Sequence, residues 1–237
     1  MTLRFFTLGM TASFGTAWLF AVVLPFFKTI ELKPVPYVEA VDEKTGVYFP
    51  KRTGQITNGA KVYSQNGCYV CHTQVVRPTY AGNDFHRDGW AGFKADPDRG
   101  DTRRESNVFD YQGEEFAQIG LMRIGPDLSN VGSRMEKKAI AANTAKKESL
   151  GDAWSDSMKV TPESLLFSHL YNPRSNVSMR WSTCPSVAFM FEEPKAGESV
   201  PTSKPDARAL VGYLMSMKKN DAVPASMNYS ASKPTGK

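Results

Sequence analysis

Cys68-Tyr69-Val70-Cys71-His72 is the stretch of this sequence that bears most on its fold and chemistry. Two thiols separated by two residues can each add to a vinyl group of one porphyrin, while the adjacent imidazole is held over the iron as an axial ligand. One pentapeptide thus supplies two covalent anchors and one iron bond. A zinc site would need a second ligand pair such as C-x-x-C or H-x-x-x-H, and His86, His169 and Cys184 stand apart from one another in the chain. A redox dithiol would need no histidine at this position. The expected cofactor is therefore a single covalent haem held by Cys68, Cys71 and His72.

Outward from the motif, the rest of the 237 residues bounds the setting. The three cysteines are too few for a disulfide scaffold, and Cys184 is left over as a free thiol. The net charge of +5 is mild, and its basic residues are mixed with acids, as from Lys94 to Glu105. That pattern suits a solvated surface and excludes a nucleic-acid stripe. From Phe5 to Phe27 there is no charge, with Arg4 and Lys28 at the flanks, which is long enough to cross a hydrocarbon core. No A-x-A-like cleavage site follows before Lys28-Thr29-Ile30-Glu31, so residues 1–30 read as an uncleaved anchor. Gly9, Ser13, Gly15 and Ala17 are small enough to admit partner helices, and Arg4 favours a cytoplasmic N-terminus with everything after Lys28 outside.

Residues 31–54, with three prolines and mixed charge, read as an extended linker. A short helix from Asn58 to Gly67, with Asn58 as N-cap, is expected to lead into the motif. A helix with four lysines is expected over 134–150, and another opens at Thr161-Pro162-Glu163 and stops at Asn172-Pro173. The clearest amphipathic helix follows a Ser203-x-x-Asp206 capping box and carries Leu210, Tyr213, Leu214 and Met217 on one stripe. Residues 220–237 are expected to be disordered. The fold class is mainly α, with one transmembrane helix and a helical domain over 55–219 that has long loops.

The order of these pieces resembles class I cytochrome c: a helix with Gly59 and Tyr63, then C-x-x-C-H, then Gly125-Pro126-Asp127-Leu128, then a last helix with Ala209-Leu210-Val211-Gly212-Tyr213-Leu214. Two longer strings, Gly67 through Pro78 and His169-Leu170-Tyr171-Asn172-Pro173-Arg174, resemble the mono-haem subunit II of cbb3-type cytochrome c oxidases. Val108-Phe109-Asp110-Tyr111 and the single N-terminal span fit that family as well. The resemblance covers most of residues 1–219, and its most discriminating piece is Gln74-Val75-Val76-Arg77-Pro78. Two departures stand out: residues 136–160 look inserted, and the Ser-x-Met-Pro string that supplies the family's sixth haem ligand is broken.

The resemblance implies that the Pro126 carbonyl accepts the second ring N–H of His72, and that a serine-methionine pair after the Asn-Pro-Arg string closes the iron. Met179 is the nearest match and the expected ligand, with Met190 and His169 as alternatives. A thioether ligand raises the reduction potential. Arg77, Arg123 and Arg174 flank the motif strings and have the geometry to pair with haem propionates, Arg77 first among them. The function implied is electron relay from another c-type cytochrome to a haem b/copper catalytic subunit in a bacterial inner membrane, with the haem domain on the periplasmic side. This chain is then not an enzyme by itself, since it has no copper-binding set of its own. The alternatives are a free-standing membrane-anchored shuttle and a haem enzyme with an open sixth position.

Overall fold

The computed structural model describes residues 2–29, 54–97, 100–111, 114–175, 177–195 and 200–219. The expected linker lies outside them except for Gly54, and the expected disordered tail lies outside them entirely. Two compact units divide near Val47.

The first unit is one long apolar helix: α1 (Leu3–Trp18), a π-helical turn (Leu19–Val23) and α2 (Leu24–Thr29). The segment Leu3–Lys28 is long and apolar enough to cross a membrane. Its large side chains, Phe5, Phe14 and Phe20 among them, are exposed rather than packed within the unit. Pro25 accounts for the π turn. It has no N–H for the carbonyl four residues back, and its ring would clash there, so the helix widens just before it.

The second unit is helical, with no β-strand among the described residues and only isolated bridges at Asp96/Gly100 and Phe191/Ser203. Its helices are α3 (Gly54–Gln65), α4 (Cys68–Cys71), α5 (Val131–Leu150), α6 (Pro162–Tyr171) and α7 (Pro205–Ser216). Helix α3 begins four residues before the expected Asn58 cap. The earlier start puts Ile56 on the same face as Gly59 and Tyr63, where it packs on the core. Helix α6 opens where expected: Thr161 Oγ1 accepts from the Ser164 amide at 3.1 Å, with Pro162 in the first turn. Helix α7 departs from the expected capping box, because Pro205 at the first helical position makes Lys204 the cap. Ser203 is drawn into the bridge with Phe191 instead.

Helices α3 and α7 cross at the centre of the core. Leu210, Tyr213 and Leu214 are buried as the stripe predicts, and the Tyr63 and Tyr213 rings lie 5.7 Å apart. Gly59 sets the approach: a Cβ there would fall 2.0 Å from the Ala209 carbonyl oxygen and 2.6 Å from Tyr213 Cβ. Gly59→Ala is therefore expected to destabilise the full chain by about 2 kcal/mol or more. Chemical denaturation checks this, and an unchanged midpoint would mean that the helices do not touch there.

Helix α5 starts at Val131, three residues before the expected Arg134, which buries Val131, Gly132 and Ser133. It packs against α6 and α7, so the apparent insertion begins inside a core helix. Its far end is tied back by Asn143, whose Nδ2 donates to the Val160 carbonyl at 2.9 Å and whose Oδ1 accepts from the Val160 amide at 2.8 Å. The end of the described chain is fastened too. The Lys219 amide donates to Asn130 at 2.8 Å, and its buried ammonium meets Asp110 Oδ2 at 2.6 Å and Ser106 Oγ at 2.9 Å. Burial pulls the Lys219 pKa down to about 8 against the pull of Asp110.

Candidate functional site

Gly67, at φ 66°, turns the chain out of α3 into the single helical turn α4. Cys68 and Cys71 are three residues apart on that turn, so they share one face. Both are free and half-buried, and burial pushes the Cys68 thiol up to about 11. His72 follows in extended backbone, with its amide on the Cys68 carbonyl at 3.1 Å.

The ring of His72 is fixed from one side. Its Nδ1 lies 2.8 Å from the Pro126 carbonyl oxygen, which makes Nδ1 the protonated nitrogen and leaves Nε2 as the lone-pair nitrogen available to a metal. Burial holds the imidazole below its ordinary pKa, against the pull of the Pro126 carbonyl, so it is neutral at pH 7. The same strand of chain leaves room for the ring: a Cβ on Gly125 would sit 2.1 Å from His72 Cε1. Gly120, at φ 90°, passes the His72 carbonyl oxygen so closely that a Cβ would meet it at 2.2 Å.

Residues 119–128 form a strap along the motif. The Leu121 amide donates to Tyr69 at 2.8 Å, Gly125 to Cys71 at 2.9 Å and Leu128 to Thr73 at 2.7 Å, while the Gln74 amide donates to Ile119 at 2.8 Å. Beneath it lies a polar network that sequence reading missed. Asp127 accepts from Thr73 Oγ1 at 2.7 Å and from the Val75 amide at 2.9 Å. Arg123 donates to Thr73 Oγ1 at 2.8 Å, to the Val75 carbonyl at 2.8 Å, and through both terminal nitrogens to Asp84 at 2.7 Å. Arg77 grips the same carboxylate through Nε at 3.0 Å, NH2 at 2.9 Å and its backbone amide at 2.9 Å. Burial alone would push Asp84 up, but the Arg77 and Arg123 hydrogen bonds outweigh it and hold the carboxyl well below the usual range.

The three arginines expected beside haem propionates thus have protein partners. Arg77 and Arg123 hold Asp84, and Arg174 NH1 donates to the carbonyls of Ser182 at 2.8 Å and Cys184 at 3.0 Å. The discriminating Gln74 has an internal role as well. Its side-chain oxygen accepts from Tyr213 at 2.9 Å and its backbone carbonyl from Tyr111 at 2.6 Å, joining the motif to α7. Nothing in the sequence singled out Asp84. Asp127 was visible only as one letter of the Gly-Pro-Asp-Leu string.

The residues weighed as a sixth haem ligand lie on α6 and the chain after it. Met179 is half-buried at the end of the short turn Val177–Met179, beside exposed Val177 and Ser178. Met190 is 3% exposed and belongs to the apolar core. His169, half-buried on α6, has its pKa lowered by burial and then by the charge of His72. Burial raises the Cys184 thiol pKa, and Cys71 adds to the rise.

The residues present fit a covalently held haem: two free thiols on one face, a neutral imidazole with its Nδ1 engaged and its Nε2 free, and a glycine where any side chain would collide with that ring. No known family model matches the chain, and no curated protein matches it.

Proposed function

We propose that this chain is a membrane-anchored c-type cytochrome with one haem, relaying single electrons from another c-type cytochrome to a haem b/copper catalytic subunit of a cbb3-type oxidase. The observation that carries the haem reading is the 2.8 Å contact of His72 Nδ1 with the Pro126 carbonyl. It orients the imidazole beside Cys68 and Cys71 and leaves one nitrogen for iron. The resemblance of the motif strings carries the choice of partner, and the apolar helix Leu3–Lys28 supports anchoring.

A bound haem supplies a one-electron couple between ferric and ferrous iron. The chain's own residues do the rest. Cys68 and Cys71, both free thiols on one face of α4, would hold the haem through thioether links to its two vinyl groups. His72 would bind the iron, and Pro126 keeps its proton on Nδ1 and so its lone pair on Nε2. The strap of residues 119–128 runs along the motif, and Arg123, Asp84 and Asp127 keep it in register there. The apolar core on α3, α6 and α7 excludes water, which favours the less charged ferrous state.

Detergent extraction followed by affinity capture of the full chain tests the partner. The expected result is co-purification with a larger subunit containing haem b and copper. Recovery as a lone haem protein would instead identify a free-standing shuttle and overturn the oxidase assignment.

A further inference from the structure

We infer that the outer face of the strap, formed by Ile119, Leu121, Met122 and Ile124 with Phe116 just ahead of them, is a permanent docking surface for the catalytic subunit, an inference that rests on the function proposed above. These five apolar side chains fall within nine residues, and each is between 47% and 70% exposed. Single exposed apolar residues are common on protein surfaces, whereas a run this dense marks an interaction site. The strap turns its backbone to the motif, with the Leu121 amide on Tyr69 at 2.8 Å and the Gly125 amide on Cys71 at 2.9 Å. Two inward side chains pin it: Gln118 Nε2 donates to the Ala60 carbonyl of α3 at 3.0 Å, and Arg123 bonds Asp84, Thr73 and Val75. The apolar side chains project from a segment that is already held, so covering them costs little further ordering.

Charge decides the kind of partner. From Phe116 to Ile124 the only charged residue is Arg123, whose side chain is 19% exposed and engaged with Asp84. A transient partner that arrives by diffusion is steered by opposed charge, and this face offers none. Its Phe, Ile, Leu and Met side chains instead match the uncharged core of a permanent interface. A chain held in the bilayer by Leu3–Lys28 meets another subunit of the same membrane without long-range steering. The occupant that fits is therefore an apolar surface of the membrane-embedded catalytic subunit, and not the donor cytochrome. Docking here would set that subunit beside Tyr69 and Cys71, where the strap is bonded to the motif.

The test uses the full chain, affinity-captured from detergent-solubilised membranes, with haem b and copper measured per covalent haem. Leu121→Lys and Ile124→Lys each place a charge on the face, and recovery of haem b and copper should fall about 10-fold or more. The pyridine haemochrome spectrum and the denaturation midpoint should stay as in the unaltered chain. Leu121→Gln, which adds no charge, should lower recovery by a smaller factor and keeps the test readable if a lysine disturbs folding. Val108→Lys and Ile140→Lys, at exposed apolar side chains elsewhere, should leave recovery unchanged. Full recovery in all three strap variants overturns this inference and leaves the proposed function standing. Loss of covalent haem in them does the same, since the face would then be a wall of the haem site. So does full recovery with slowed reduction by a soluble c-type cytochrome, which would assign the face to the donor. Release of a second, differently tagged copy of this chain in place of haem b would make it a homodimer contact and also overturn the inference. An unaltered chain that brings down no haem b overturns the proposed partner itself, and this inference with it.

Discussion

A chain carrying Cys68→Ala and Cys71→Ala together is expected to retain no haem through denaturation, whereas the unaltered chain keeps its haem on a denaturing gel. The two thiols share one face of α4, so each single variant still has one anchor and should keep a covalent haem with an altered spectrum. His72→Ala separates the two roles of the motif. Both thiols remain in place, so haem should stay attached, but the nitrogen held in place by the Pro126 carbonyl would be gone and the iron bond with it. Haem staining together with the pyridine haemochrome spectrum of each variant decides the matter. Haem that persists in the double variant would mean that the thiols are not the anchors.

Asp84→Ala should be the most destabilising change outside the apolar core, costing about 3 kcal/mol or more. The carboxylate is 0% exposed and binds the guanidinium groups of Arg77 and Arg123, so its loss leaves two cations around a cavity. The sign of the pH dependence follows from its depressed pKa. A carboxyl more acidic in the folded chain than in the unfolded one stabilises the fold fully above its unfolded value of about 4 and loses that contribution as the pH falls through the folded value. The stability difference between Asp84→Ala and the unaltered chain should therefore be constant from pH 5 to 7 and shrink in strong acid. Denaturation midpoints across that range measure it, and a difference that grows on acidification would contradict the ion-pair account. Because Arg123 also holds Thr73 and Val75, the same variant should loosen the strap and broaden the haem absorption bands.

How much of this could be read from the sequence depended on the kind of signal. Local rules read Thr161 as a cap and Leu210, Tyr213 and Leu214 as a buried stripe, because both depend only on neighbours along one helix. The same rules misplaced the start of α3, since Ile56 is drawn into the helix by packing across the core. They also missed the start of α7, where a proline outranks a serine in choosing the first turn. Within the site, the motif was legible because its spacing is chemical, and its proline partner only through the resemblance of the Gly-Pro-Asp-Leu string. The Asp84 network was not, since it joins residues 77, 84 and 123 across loops that have no periodicity.

The glycine-mediated crossing of α3 and α7 has a kinetic side. Gly59 and Ala209 are 150 residues apart in the chain, and contacts of such long sequence separation slow folding. The turn that bears Cys68 and Cys71 follows directly on α3, far ahead of α7, which begins at Pro205 and supplies the other side of the crossing. On the proposed haem reading, this slow, non-local topology would give attachment an interval before the last helix packs on α3.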